Sequence, residues 1–279
     1  MPAILEHLER HLAKWRLTPD GEAFETISSW LAYVTRDGQR AVLKAFKPGS
    51  NEAPGARYLA LHKGLGAVRV LESDDDAVLI ERIAPGTCLS EMSAAGRDDE
   101  ASHIVCDTIE KLQLSRVSAA GWPGHAEHLE QFDLRPAVPP LTSQIAARAR
   151  AMFVELDASE QQRVLLHGDL HHGNILLDGA RGWLAIDPKG EAGELAYELA
   201  AALRQPLESP QIFLTPAQTD RRVRIYCERL GVERKRVLGW CFARNCSAAL
   251  WYADHVAEPE RIKFWPSATL SALKLLQDA

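Results

Sequence analysis

The sequence predicts an α+β protein with two lobes: a small N-terminal β-sheet lobe over residues 1–83 and a larger, mainly helical C-terminal lobe over residues 84–279. Short apolar runs of strand length, separated by turn residues, dominate the first part of the chain. After the break at Ala84-Pro85-Gly86, apolar residues recur mostly at helical spacing, apart from one further hairpin. A chain of 279 residues is long enough for two lobes with a sizeable buried core.

The first lobe begins with a predicted amphipathic helix, because Ile4, Leu8 and Leu12 recur there at helical spacing. A strand hairpin follows, and its Asp37-Gly38 pair is typical of a tight turn between antiparallel strands. The predicted strands and the second helix of this lobe occupy residues 30–35, 40–46, 53–64 (the helix), 69–71 and 77–81.

Composition excludes several classes of function. The formal net charge is −6 and the pI is about 5.9, so the chain lacks the basic footprint of a nucleic-acid-binding protein. No run reaches the roughly 18 apolar residues of a membrane span, and the N-terminus does not have the pattern of a signal peptide. The five cysteines form no Cys-x-x-Cys pair, which indicates reduced thiols. We expect a cytoplasmic monomer whose partner is a small molecule.

The most informative motif is the octet His-Gly-Asp-Leu-His-His-Gly-Asn at residues 167–174, followed thirteen residues after its Asn by Asp187. Two apolar runs, 174–178 and 183–187, flank the turn residues 179–182 and predict a hairpin. If its arms pair symmetrically about the turn, Asn174 lies opposite Asp187, roughly 5 Å apart at Cβ. An amide oxygen and a carboxylate so placed can hold Mg²⁺ when phosphate oxygens complete its shell.

The spacing within this region is that of a phosphoryl-transfer centre. Asp169 precedes Asn174 by five residues, which is the interval between the same two residue types in the protein-kinase catalytic loop. Asp187 occupies the position in the chain at which protein kinases have their metal-binding Asp. We therefore expect Asp169 to orient the attacking hydroxyl as catalytic base, and Asn174 and Asp187 to bind Mg²⁺ on ATP. His167 and His171 are interpreted as hydrogen-bond partners that hold the loop.

The nucleotide site draws on residues of the first lobe. Lys44 is predicted to bind phosphate, with Glu52 as the carboxylate that holds its ammonium group. Glu81 and Ile83, just before the Pro-Gly break, are placed to offer backbone hydrogen bonds to adenine. Where a protein kinase has its glycine-rich loop, this chain has Ser28 and Ser29, whose hydroxyl or amide groups would have to contact the phosphates.

Taken together, these motifs resemble the aminoglycoside phosphotransferase family, and within it the streptomycin 6-phosphotransferase and hydroxyurea phosphotransferase group. The octet is specific to the superfamily, whereas Gly66-Ala67-Val68-Arg69 and Arg181-Gly182-Trp183-Leu184 point to the group. The resemblance implies a bilobal kinase-like fold. It assigns Asp169 as base, Asn174 and Asp187 as magnesium ligands, Lys44 as the contact to the α- and β-phosphates and Glu52 as its partner.

Streptomycin, phosphorylated at position 6, is the substrate that this resemblance favours. Its guanidinium groups would pair with carboxylates and stack on indole rings. The candidate contacts after the octet are Glu191, Trp240, Trp251 and Asp254, together with Glu194, Glu258 and Glu260. Glu194 and Glu198 can alternatively brace the catalytic loop, and we favour bracing for Glu198.

Three alternative functions remain open at this point. The first is a kinase of another small molecule, such as hydroxyurea or an amine-bearing metabolite. The second is a metal-dependent hydrolase with His167, Asp169, His171 and His172 as metal ligands, which would not need Lys44 and Glu52. The third is a protein that binds ATP without catalysis.

Overall fold

Five strands near the N-terminus form one antiparallel sheet in the computed structural model, which describes residues 2–206, 209–212, 215–255 and 265–278. The strands are β1 (Thr18–Glu25), β2 (Ser29–Arg36), β3 (Gln39–Phe46), β4 (Val70–Ser73) and β5 (Ala77–Glu81). Their spatial order is β1-β2-β3-β5-β4. The predicted hairpin is confirmed: β2 and β3 pair without a break, and Asp37 and Gly38 form the turn with φ of 50° and 79°.

The sequence does not predict strand β1, because residues 18–25 lack a strand pattern. Pro19 and Gly21 interrupt it, and its register against β2 shifts between Pro19 and Ala23. A proline and a bulge are tolerated at this position because β1 is an edge strand.

The rest of the described chain contains ten α-helices and five short strands, joined by loops. The helices are α1 (Pro2–Lys14), α2 (Ala53–His62), α3 (Leu89–Ala94), α4 (Asp98–Gln113), α5 (Ala126–Leu134), α6 (Ser143–Ala158), α7 (Leu195–Leu203), α8 (Pro216–Leu230), α9 (Arg234–His255) and α10 (Trp265–Gln277). The strands are β6 (Pro85–Cys88), β7 (Val164–Leu166), β8 (Ile175–Asp178), β9 (Gly182–Ala185) and β10 (Glu191–Gly193). Strands β6, β8 and β9 form one sheet, and β7 pairs with β10. The α+β class is confirmed.

Two hydrophobic clusters lie in the described part of the chain. One joins α1 to the N-terminal sheet through residues such as Leu8, Val34 and Leu43. The other fills the helical region and also includes Tyr58 of α2 and Val68. The packing therefore attaches α2 and the segment before β4 to the helical region, although they precede residue 84. None of the described helices is both long and apolar enough to cross a bilayer.

Candidate active site

A cavity of about 400 Å³ lies between the N-terminal sheet and the β8–β9 hairpin. Its apolar lining comes from both sides and includes Leu31, Val42, Ile80, Leu176 and Ile186. Its charged and polar lining includes Lys44, Glu52, Asn174 and Asp187. An apolar slot of this volume with a few polar groups is typical of a site for a nucleotide-sized ligand.

The loop that carries Asp169 is held in place by buried side chains. Glu198 of α7 accepts hydrogen bonds from the amides of Gly168 (3.1 Å) and Leu170 (3.3 Å), so it braces the loop as expected. Arg244 of α9 donates to the Gly168 carbonyl. Burial raises the pKa of Glu198 to about 7, against the opposing effect of Arg244.

The motif histidines also serve the loop. His167 accepts from the amide of Asp169 at Nδ1 (3.2 Å) and donates from Nε2 to the Ile186 carbonyl (2.8 Å). Burial lowers the pKa of His167 to about 4, so its ring is neutral at physiological pH. His171 accepts from the Gly173 amide at 3.0 Å. Among the described residues, these two rings are occupied by structural hydrogen bonds rather than arranged as metal ligands.

Asp169 is paired with a residue that sequence reasoning missed. Arg204, at the C-terminus of α7, donates to Asp169 Oδ1 at 2.9 Å, while His171 Nε2 lies 3.7 Å from Oδ2. Burial opposes ionisation, but His171 and Arg204 outweigh it and hold the pKa of Asp169 well below its usual value. The side chain is 25% exposed, so an ionised carboxylate reaches the surface of the site. No local motif marks Arg204, because only the path of α7 brings it to Asp169.

The predicted register of the catalytic hairpin is wrong by one residue. Asp178 pairs with Gly182, not with Trp183, and Ile175 pairs with Ala185, so Asn174 lies opposite Ile186. The loop has three residues rather than four, because Asp178 Oδ1 accepts from the amides of Ala180 (3.0 Å) and Arg181 (2.9 Å) and tightens the turn.

Asn174 and Asp187 nevertheless line the same cavity. Asp187 follows the end of β9 with a φ of 56°, a left-handed conformation that turns the chain out of the hairpin. The Asn174 amide nitrogen donates to the Asp169 carbonyl at 2.9 Å, which leaves Oδ1 as the ligand atom. The Asp187 carboxylate is 48% exposed. One amide oxygen and one accessible carboxylate fit a magnesium ion whose other ligands are phosphate oxygens and water.

Lys44 lies at the centre of a charge cluster beside this pair. Its Nζ donates to Glu52 Oε2 at 2.5 Å and also to Asp187. Lys189 Nζ donates to the other oxygen of Glu52 at 2.9 Å. Burial disfavours the Glu52 anion, but Lys44 and Lys189 prevail and lower the pKa of Glu52 to about 2.

Of the other predicted nucleotide contacts, Glu81 and Ile83 line the cavity and the two serines do not. The Glu81 amide, one of the backbone groups predicted to meet adenine, donates instead to the Arg69 carbonyl at 3.0 Å. The Glu81 carboxylate accepts from the Arg69 amide (2.8 Å) and from Arg181 Nη2 (2.6 Å). The hydroxyl of Ser28 hydrogen-bonds Glu52 and helps to lower the pKa of that residue. The Ser29 side chain is fully buried, so of the two predicted serines Ser28 alone could present a hydroxyl group to phosphate. Neither serine is among the residues that line the cavity, whereas Thr26 is.

Trp240 and Glu194 belong to the core, and the structure does not support the substrate role predicted for them. Trp240 is fully buried, packs edge-on against Phe153 and Tyr197, and donates from its indole nitrogen to Glu194. Glu194 also accepts a hydrogen bond from Arg236 Nε at 2.8 Å. In a helix that packs on several sides, aromatic residues of the core and of a pocket recur at the same helical spacing. The sequence therefore does not distinguish a core tryptophan from a substrate-binding one.

Two other predicted substrate contacts keep some access to solvent. The Glu191 side chain is 12% exposed and pairs with His128 Nε2 at 3.1 Å. Trp251 is partly exposed on α9 and meets Tyr252 edge-on, with ring centres 4.9 Å apart. Outside the described side chains lie Asp254, Glu258 and Glu260.

The two segments that pointed to the streptomycin group contact each other. The Val68 amide donates to the Ala185 carbonyl and the Ala185 amide to the Gly66 carbonyl, both at 2.9 Å. Arg181 reaches Glu81 at the end of β5. These contacts join the N-terminal sheet region to the catalytic hairpin. Neither segment is among the residues that line the cavity.

The bracing by Glu198 gives a testable expectation. Glu198→Ala should lower kcat and the melting temperature, because it removes the carboxylate oxygens that accept from the amides of Gly168 and Leu170, and a buried N–H left unpaired costs about 1–3 kcal/mol. Steady-state kinetics and thermal melting measure both effects. Glu155→Ala, at an exposed position of α6, is the matched control. Unchanged kcat in Glu198→Ala would show that the bracing is dispensable.

The chain resembles known phosphotransferases over most of its length. Residues 14–256 match the family described as aminoglycoside/hydroxyurea antibiotic resistance kinase. It is 36% identical over 246 residues to streptomycin 3''-kinase of Klebsiella pneumoniae, covering 86% of this chain and 90% of that protein. It is 30% identical over 266 residues to streptomycin 6-kinase of Streptomyces glaucescens (90% and 82% covered), and 30% identical over 273 residues to hydroxyurea phosphotransferase of Kitasatospora aureofaciens (92% and 75% covered).

Solved structures extend the likeness to the fold. Choline kinase LicA of Streptococcus pneumoniae superposes with a TM-score of 0.69 at 16% identity, covering 98% of this chain and 99% of LicA. A further structure of LicA contains AMP. The bilobal kinase-like fold expected from the resemblance is confirmed.

Proposed function

Because the chain belongs to the aminoglycoside/hydroxyurea antibiotic resistance kinase family, and is thus an ATP-dependent phosphotransferase, we propose that it transfers the γ-phosphoryl group of ATP to a hydroxyl group of streptomycin. The observation that carries the proposal is the placement of an ionised, partly exposed Asp169 beside Asn174, at a cavity that also holds Lys44 and Asp187. Phosphoryl transfer requires this combination of orientation and charge neutralisation.

In the proposed mechanism the apolar part of the cavity holds adenine and Lys44 contacts the polyphosphate. Asn174 and Asp187 would hold magnesium, which supplies positive charge to the phosphate oxygens. Asp169 uses Oδ2 to orient the acceptor hydroxyl, because Oδ1 is taken by Arg204. The acceptor oxygen forms a bond to the γ-phosphorus, the bond to the β-phosphate oxygen breaks, and ADP leaves.

The low pKa of Asp169 has a consequence for proton transfer. A carboxylate stabilised by Arg204 and His171 is a weak base, so it cannot take the hydroxyl proton early. It receives the proton only as the new phosphorus–oxygen bond makes the hydroxyl acidic. Asp169 therefore contributes chiefly by orienting the acceptor, which suits a loose transition state.

Streptomycin is supported by relatives and, more weakly, by the surface near Asp169. Two relatives are named as streptomycin kinases, one for position 3'' at 36% identity and one for position 6 at 30%. These sequence identities therefore do not favour phosphorylation of streptomycin at position 6 over position 3''. Beside Asp169, Arg204 lies over the Trp265 ring at 5.0 Å, and this buried ring stacks on Tyr252 at 3.8 Å. Trp251 and Tyr252 are partly exposed, so these two rings can offer aromatic surface to a guanidinium-bearing acceptor.

The proposal predicts a substrate preference. In a coupled ADP-release assay, kcat/KM for streptomycin should exceed that for kanamycin by tenfold or more, on the order expected when paired planar contacts are lost. Expression in a sensitive bacterium should raise streptomycin tolerance, with the Asp169→Asn variant as the inactive control. Equal kcat/KM values for the two antibiotics would contradict the preference.

Hydroxyurea is the second candidate substrate, since a relative that matches 92% of this chain is named as a hydroxyurea phosphotransferase. The same ADP-release assay includes it. If the protein phosphorylates hydroxyurea and not streptomycin, hydroxyurea becomes the assigned substrate, and the proposed phosphoryl-transfer chemistry is unaffected.

A further inference from the structure

A second lysine, Lys189, shares the buried carboxylate of Glu52 with Lys44. Its Nζ lies 2.9 Å from Glu52 Oε1, while Lys44 Nζ lies 2.5 Å from Oε2. The backbone of Lys189 is fixed, because its amide donates to the His167 carbonyl at 2.7 Å. Lys189 thus extends from the start of the catalytic loop towards the charge cluster at the cavity.

The charges of this cluster change when a metal ion binds. In the present structure two carboxylates, Glu52 and Asp187, face the two ammonium groups. A magnesium ion on Asp187 would withdraw that carboxylate from Lys44. Among the described hydrogen bonds of these two lysines, Glu52 is then the single carboxylate acceptor. Two ammonium groups then share one hydrogen-bonded carboxylate where the polyphosphate is proposed to lie, which favours binding of its negative charge.

Lys189 is the better placed of the two lysines to provide this surplus charge at the reacting end of ATP. Its side chain is 39% exposed, whereas that of Lys44 is 12% exposed. A Cβ atom added at Gly168, next to Asp169, would lie 3.1 Å from Lys189 Cβ. The Lys189 ammonium also contributes to the low pKa of Asp169, after His171 and the two arginines. Lys189 therefore lies between the nucleotide cluster and the acceptor-orienting carboxylate.

We propose that Lys189 binds the γ-phosphoryl group of ATP, while Lys44 remains with Glu52 and contacts the α- and β-phosphates. The proposal rests on the proposed function for the use of ATP but not for the identity of the acceptor. The ammonium stays protonated throughout and adds a charge-assisted hydrogen bond to the group that is transferred.

Nucleotide binding without an acceptor tests this assignment. Isothermal titration calorimetry with magnesium compares AMP-PNP, which carries a γ-phosphoryl group, with ADP, which does not. Lys189→Gln should weaken AMP-PNP binding by about tenfold or more and ADP binding by less than about twofold. Lys189→Arg, which keeps the charge, should restore part of the difference. Lys235→Gln, at an exposed position of α9, is the matched control and should alter neither affinity.

Chemical protection of the unmodified protein provides a second measurement, which does not depend on the folding of a variant. AMP-PNP should protect Lys189 from acetylation, as detected by peptide mass spectrometry, more strongly than ADP does. If Lys189 only braces Glu52, both nucleotides will protect it equally and Lys189→Gln will weaken both equally. That result would overturn the proposal, and because no acceptor is present it would leave the streptomycin assignment unaffected.

Discussion

Replacing Asp169 by asparagine is expected to lower kcat by about a hundredfold or more, because the acceptor hydroxyl loses the carboxylate that orients it and finally takes its proton. Asparagine keeps an oxygen for the contact that Arg204 makes with Oδ1 at 2.9 Å, so the fold and ATP affinity should be retained. Steady-state kinetics with streptomycin, ATP titration and circular dichroism measure the three quantities.

The control for Asp169→Asn is its own nucleotide binding. Normal ATP affinity combined with a large loss of kcat would locate the defect in the acceptor step. A variant with near-normal kcat and an unchanged circular dichroism spectrum would remove Asp169 from the chemistry.

The second large effect is expected at the metal pair. Asp187→Ala should nearly abolish magnesium-dependent ATP binding, and Asn174→Ala should weaken it less, because only the former removes a full charge facing the metal. Lys44 keeps Glu52 as its partner in both variants, so the cavity should persist. The measurement is the ATP-dependent thermal shift across a magnesium titration.

Asp107→Ala is the matched control for these two variants, since Asp107 is half-exposed on α4 and pairs with Arg229. Its magnesium dependence should equal that of the unmodified protein. An undiminished thermal shift in Asp187→Ala would place the metal elsewhere.

The chemical identity of the site could be predicted from sequence because its members are close in the chain and carry a characteristic spacing. Asp169 and Asn174 belong to one octet, and Asp187 follows within one hairpin. The hairpin register is not predictable in the same way. It depends on two backbone amides in the turn that donate hydrogen bonds to Asp178, and an assumption of symmetric pairing does not include these bonds.

Contacts made by distant helices were also out of reach. Arg204 meets Asp169 only because α7 ends beside the catalytic loop, and the stretch around it contains no recognisable motif. The sequence places Trp240 in a pocket because an aromatic residue in a helix has the same periodicity on a core face as on a binding face. The sequence does not indicate the position of Lys189 either, because its partner Glu52 is 137 residues away.

Transfer of labelled phosphate from γ-³²P-ATP is the most direct measurement of the central claim. With magnesium and streptomycin present, the unmodified protein should place one labelled phosphoryl group on streptomycin for each ADP formed, and Asp169→Asn should place almost none. Label released as inorganic phosphate while streptomycin stays unlabelled would contradict the claim, because the site would then act on water rather than on the hydroxyl group of an acceptor.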